Sequence, residues 1–260
     1  MAVEPKGVVK SADRVLDVFE LLGRWGSEMS HAELAEVLNI PKSSLTPLLR
    51  NLVARNFVEY DPISKGYRLG DAFVQLAQRT GRERSLLGFI HPIVVDLSSA
   101  TGESVTVTQL KGDQGETIDS VSGPHRLVSH MRAGDRGPLY ALSGGKAILA
   151  HLPQAMLSDY LRRVEFERIT PNTIASTDEL VRQLEEVRRT GYSFVDEEFT
   201  FGIVGIGAPI LADDGFPIGA ISVVMPSVRL TDESQAQATR GLTTAIERIS
   251  RQLTRLAAAH

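Results

Sequence analysis

Three short patterns in this chain combine residue types that could do covalent or acid–base chemistry. Ser143-Gly144-Gly145-Lys146 has the Ser-x-x-Lys spacing of an acylating pair, in which a lysine one helical turn on eases attack by the serine. The Ser-Asp-Asn and Lys-Thr-Gly elements that accompany it in penicillin-recognising enzymes do not follow. Gly202-Ile203-Val204-Gly205-Ile206-Gly207 has the glycine content of a nucleotide loop, but a strand follows it rather than a phosphate-facing helix. Glu197-Glu198 sets two carboxylates side by side, and adjacent positions on a strand point apart. The six histidines show no metal-ligand spacing; His125 and His130 straddle an expected strand and would face opposite ways. With no cysteine there is no disulfide, thiolate nucleophile or thiolate metal site. These patterns assign no catalytic residue, no metal and no cofactor.

A second chemistry is more promising. Lys42, Ser43, Ser44, Thr46 and Arg50 form a polar, basic set of the kind that meets phosphates and base edges, and Lys65 and Arg68 follow. The elements that must position them are legible. Ser11 is the expected cap of a first helix bearing Val15, Leu16, Phe19 and Leu22, which Gly23 and Gly26 end. Ser30-x-x-Glu33 is a capping box opening a short second helix with Leu34, Ala35 and Leu38. Asn39 suits a left-handed turn, and Pro41 the first turn of a third helix. Leu45, Leu48, Leu49, Leu52 and Val53 give that helix one buried face, leaving the polar set on the other. Two strand-like runs, 57–60 and 67–69, flank the turn at 61–66. The order is that of a winged helix-turn-helix, whose second helix enters the major groove.

The net charge of −4 over 260 residues at first argues against nucleic acid. Counted by segment, residues 1–80 hold ten bases and ten acids, and the excess acid lies in 81–260. Between 40 and 70 the balance is five bases to two acids. A local surplus of this kind suits a small phosphate-contacting surface.

Ile40-Pro41-Lys42-Ser43-Ser44-Leu45, Leu48-Leu49, Leu52 and Tyr67-Arg68-Leu69-Gly70 resemble the winged helix-turn-helix of the IclR-type bacterial transcriptional regulators. The resemblance continues through Gly137-Pro138-Leu139-Tyr140, Gly145-Lys146-Ala147-Ile148-Leu149-Ala150, Thr170-Pro171-Asn172-Thr173-Ile174 and Glu198 to Gly219-Ala220-Ile221-Ser222. It implies an α+β chain: an N-terminal winged helix-turn-helix joined by a linker helix to a C-terminal GAF-like effector-binding domain. The divisions are 1–72, 73–84 and 85–260. Pro47 stands where the family commonly has Arg, so the operator sequence does not carry over.

Beyond the linker, a helix over 85–100 contains Pro92. Period-two runs then predict strands at 104–110, 117–122, 127–131, 205–211 and 217–225, with helices over 143–149, 176–190 and 231–256. The resemblance places an effector pocket at Ser143, Gly144, Val195, Gly205, Ser222 and Val224. The amides of Ser143 and Gly144 at a helix start suit a carboxylate. Val195 replaces a common Asp, Gly205 a common Cys and Val224 an occasional Ser, which implies a roomier, more apolar cavity and an aromatic or apolar-bodied acid. The expected protein is a cytoplasmic, effector-responsive regulator that binds a palindromic operator as a dimer or tetramer, with no membrane partner. The alternative is a GAF-fold small-molecule enzyme of acyl-transfer type with an N-terminal interaction module.

Overall fold

In the computed structural model the described residues are 9–25, 28–73, 76, 86–128 and 131–258, and they divide into two compact units, 1–83 and 84–260. Most of the expected linker, 74–75 and 77–84, lies outside the described residues, as does residue 85.

In the first unit, α1 spans Lys10–Trp25, α2 His31–Val37 and α3 Lys42–Ala54. A three-stranded antiparallel sheet is ordered β1 (Met29–Ser30), β3 (Gly66–Leu69), β2 (Val58–Asp61). Three boundaries differ from expectation. Ser11 lies inside α1, which begins one residue earlier, and the helix runs through Gly23, because Leu21, Leu22 and Trp25 are buried and hold its last turn. Pro41 caps α3 from an extended conformation instead of entering its first turn. Strand β1 was hidden in sequence, being only two residues long and formed by pairing with Tyr67 and Gly66. The capping box of α2 is complete: the Glu33 amide donates to Ser30 Oγ and the Ser30 amide to Glu33 Oε2. Val18, Leu22, Leu34, Leu45, Leu49 and Val58 form the core.

In the second unit, six antiparallel strands are ordered β6-β5-β4-β9-β8-β7. They are β4 (Ser104–Lys111), β5 (Gln114–Val121), β6 (Arg136–Pro138), β7 (Ser193–Asp196), β8 (Ile203–Leu211) and β9 (Pro217–Pro226). Five helices accompany them: α4 (Leu86–Thr101), α5 (Ser143–His151), α6 (Gln154–Arg163), α7 (Thr177–Thr190) and α8 (Asp232–Ala258). The alternation in β4, β8 and β9 sorts the two faces. Val105, Val107, Val204, Ile206, Ile221 and Val223 pack with Ile90, Val94, Leu242 and Ile249 of α4 and α8. The opposite face carries Thr106, Thr108, Gly205, Gly207, Ser222 and Val224. Small residues there let α5 lie close to the sheet: a Cβ on Gly207 would stand 2.8 Å from the Ser143 carbonyl carbon, and one on Gly144 would stand 2.6 Å from Thr108 Oγ1.

Of the expected strand 127–131, residue 127 lies in a bend, 128 and 131 are irregular, and 129–130 lie outside the described set; the sheet resumes at β6. His125 therefore sits in a bend rather than beside a strand. Helix α6 and strands β6 and β7 went unassigned in sequence. The two strands are three and four residues long, too short for a period to register.

Candidate DNA-binding face and effector cavity

On α3 the buried stripe of Leu45, Leu49 and Leu52 turns Lys42, Ser43, Thr46 and Arg50 outward, with Ser44 half-buried. The turn from α2 passes through Asn39 at φ 50°, a left-handed position suited to its short polar side chain. Pro47 lies inside α3 and cannot donate to the carbonyl one turn earlier. Thr46 Oγ1 donates to the Lys42 carbonyl at 2.9 Å and meets His31 Nε2 at 3.0 Å, tying α3 to α2. Much of the hydroxyl's bonding capacity is thus used within the protein.

The wing differs in charge from what local counting implied. Arg68 binds Glu59 through Nε (2.9 Å) and through its terminal nitrogen (2.7 Å), and Glu28 at 3.2 Å. Glu59 holds its guanidinium above the usual arginine range. Ser64 Oγ donates to Glu28 Oε2 at 2.5 Å and to Asp61 Oδ2 at 3.1 Å. Pairing β1 with β3 brings Glu28 to the hairpin, so Arg68 meets Glu28 as well as Glu59. Arg68 is thus paired with two carboxylates of its own unit. Lys42, Arg50 and Lys65 are exposed and have no carboxylate partner among the described residues. Lys65 stands at the wing tip with φ 55°.

In the second unit all six residues of the expected pocket line one cavity of about 40 Å³. It lies between the α5 face of the sheet and the segment after β7. Thr106, Thr108, Met131, Leu142, Phe199, Thr200 and Ile203 also border it. Ser143 and Gly144 are the first two residues of α5, and the first amide to bond back along this helix is that of Lys146, to the Leu142 carbonyl at 2.9 Å. The earlier amides have no intrahelical acceptor, and the helix dipole adds positive potential there. Ser143 Oγ donates to Ser222 Oγ at 3.1 Å, while Ser193 Oγ donates to the Ser143 carbonyl at 2.6 Å.

Gly205 does not enlarge the cavity. A Cβ at that position would lie 2.7 Å from Ser143 Oγ, so the serine hydroxyl fills the space. The lining is mixed: Thr106, Thr108, Ser143, Thr200 and Ser222 bring hydroxyls, and Val195, Val224, Phe199, Ile203 and Met131 supply apolar surface.

Sequence reasoning missed the group that organises this region. Lys146, fully buried, donates to both carboxylate oxygens of Glu198 at 2.5 and 2.6 Å and to Gln183 Oε1 at 2.5 Å. Burial lowers the lysine pKa and raises that of Glu198, each opposed by the partner's charge. Glu197 is in a left-handed turn (φ 57°), and its carboxyl is held below the usual range by the Ser227 side chain and the Gly202 amide. The two carboxylates therefore do diverge, though from a turn rather than a strand. Lys146 is committed to Glu198 and Ser143 to Ser222, so this Ser-x-x-Lys has no base beside its hydroxyl. Fifty-two positions separate Lys146 from Glu198; the Gly-Lys-Ala block and the Glu after Gly191-Tyr192 were visible, but no local spacing links them.

Comparison with known proteins agrees with both units. The profile for the bacterial transcriptional regulator IclR C-terminal region matches residues 80–251, and that for the IclR helix-turn-helix domain matches 11–62. Transcriptional repressor IclR of Escherichia coli (strain K12) is 29% identical over 229 residues, which cover 87% of this chain and 84% of that protein. HTH-type transcriptional regulator KdgR of the same organism is 29% identical over 245 residues, covering 94% and 93%. The crystal structure of the Thermotoga maritima IclR superposes with a TM-score of 0.63 at 29% identity, covering 94% and 98%. A helix-turn-helix unit, a six-stranded sensor-type unit and profiles matching in both place this chain in the IclR family of bacterial transcriptional regulators.

Proposed function

We propose that this protein is a cytoplasmic transcriptional regulator whose operator affinity responds to a small carboxylic metabolite with an aromatic or apolar body. Residues 1–72 form the DNA-binding domain, 73–84 the linker and 85–260 the effector-binding domain. Lys42, Ser43, Ser44, Thr46 and Arg50 contact DNA from α3, with Lys65 at the wing; Arg68 serves mainly to brace the hairpin. Two such domains in a dimer or tetramer read a palindromic operator, since symmetry doubles a modest set of phosphate contacts. If operator affinity at physiological salt is unchanged in Thr46→Ala and Arg50→Ala, α3 is not the recognition helix.

The observation that carries the effector reading is the polarity of the cavity. Amides of a helix start and the hydroxyls of Thr106, Thr108, Ser143, Thr200 and Ser222 share its lining with the apolar Val195, Val224, Phe199, Ile203 and Met131. A carboxylate suits the first group and a ring or alkyl body the second. At about 40 Å³ the cavity holds a few waters. Metabolite sites occupy roughly 300–1,000 Å³, so the walls must part on binding. A ligand that requires this opening biases the protein between two states, and the bias equals its differential affinity for them. A thermal-shift screen of aromatic carboxylates against glyoxylate and pyruvate tests the reading. Stabilisation by the aromatic acids supports it, and tight binding of only the small oxo-acids overturns it.

A further inference from the structure

The wall of the cavity is built from the turn 197–203, and the floor from the first turn of α5. Very little of the sheet holds that turn in place. The Glu197 amide donates to the Ile203 carbonyl at 3.0 Å, and the Ile203 amide to Thr200 at 3.1 Å. Between them, Phe199, Thr200 and Ile203 face the cavity.

Besides the Ser227 amide just after β9, which donates to the Gly202 carbonyl at 2.8 Å, the remaining ties come from two places. The loop before α7 binds successive carbonyls. Asn172 Nδ2 donates to Asp196 at 3.2 Å, Thr170 Oγ1 to Glu197 at 2.6 Å and Thr173 Oγ1 to Glu198 at 2.6 Å. This gives the Thr170-Pro171-Asn172-Thr173 block a physical task. The second tie is the Lys146–Glu198 pair, which joins the turn to α5 one helical turn beyond Ser143. Gln183 of α7 joins the same ammonium.

We propose that Lys146 and Glu198 are positioning residues for the cavity. Their buried ion pair holds the 197–203 wall against the α5 floor and sets how readily the cavity opens. Neither residue lines the cavity. A buried ion pair contributes little net stability compared with an apolar pair of equal volume, so fixing geometry is the better account of its retention here. The idea rests on the reading of this cavity as the effector site, but its test requires no effector.

The chain has no cysteine, so a single introduced one reports opening directly. Val224→Cys places a thiol in the cavity, and Val223→Cys places one on the next residue, buried in the opposite face of the sheet. Labelling of each by dithiobis(nitrobenzoate) is timed in the full-length protein without denaturant. Adding Lys146→Met is expected to speed labelling at Val224→Cys by about tenfold or more beyond any acceleration at Val223→Cys, whose change should follow the variant's measured loss of global stability, as added local opening requires. Equal acceleration at both positions overturns the proposal, and so does no acceleration at Val224→Cys.

The double variant Lys146→Met/Glu198→Leu separates lost positioning from a stranded charge. Continued fast labelling supports the proposal; return to the parent rate overturns it. Should Lys146→Met fail to fold, Glu198→Gln keeps the volume and is read by the same criterion at both reporters. If aromatic acids fail to bind yet labelling follows this pattern, the effector reading fails and the positioning role stands.

Discussion

Replacing Gly205 by Ala tests whether the cavity is shaped by the fit between this glycine and Ser143. A Cβ at 205 would lie 2.7 Å from Ser143 Oγ and 3.2 Å from Ser143 Cβ. The nearer contact is too short to persist, so either the serine rotates or β8 shifts from α5. Rotation breaks the 3.1 Å bond to Ser222 Oγ, in a site where both serines are buried. Losing the bond and stranding a buried hydroxyl costs about 1–3 kcal/mol. Replacing glycine in a strand returns roughly 0.5 kcal/mol through the unfolded chain. The net expectation is a loss of about 0.5–2.5 kcal/mol.

Ser143→Ala alone loses the same hydrogen bond and should cost about 1 kcal/mol. In the double variant the 2.7 Å contact no longer exists, because the atom that made it is gone. The combined loss should therefore fall short of the sum of the singles by about 1 kcal/mol or more, a coupling expected only between residues in contact. Urea denaturation of the four proteins, monitored by far-ultraviolet circular dichroism, gives the cycle. Additivity within about 0.3 kcal/mol would refute the claim that Ser143 fills the space Gly205 leaves.

Further outcomes follow from the charges and caps. Lys146→Met leaves Glu198 buried without its cation and should cost about 3–5 kcal/mol near neutral pH. Burial already raises the Glu198 pKa, and loss of the lysine raises it further, with Glu179 adding repulsion. A carboxyl with a raised folded-state pKa binds its proton more tightly in the native state, so the variant's deficit should shrink as pH falls; urea midpoints at about pH 8 and pH 5 check the sign. On the DNA side, Lys65→Ala should lower the slope of log affinity against log salt by about 0.9, as loss of one phosphate contact does. Arg68→Ala should change it far less, because Glu28 and Glu59 already neutralise that side chain. Titrations by fluorescence anisotropy with an operator fragment compare the two. Ser30→Ala removes the acceptor for the Glu33 amide and should destabilise the N-terminal unit by about 1 kcal/mol, read from its thermal midpoint.

The sequence was most informative where an interaction is local. The capping box at Ser30, the left-handed Asn39 and the alternation of β4, β8 and β9 all involve residues within a few positions of one another, and their periods and spacings survive into the structure. The six proposed pocket residues came from resemblance and meet around one cavity, but the size of that cavity depends on packing. Gly205 looked like added space until Ser143 on α5 was seen to occupy it. Five bases and two acids between 40 and 70 looked like a positive wing until strand pairing carried Glu28 to Arg68, forty positions away. Lys146 read as the lysine of a Ser-x-x-Lys spacing and Glu198 as one of two adjacent acids. Their partnership exists because α5 lies close over the glycines of the sheet and the turn after β7 folds back toward it. Chemistry carried by neighbouring residues is written in the chain; chemistry made by burial and by long-range pairing appears only once the backbone has brought distant charges out of water and together.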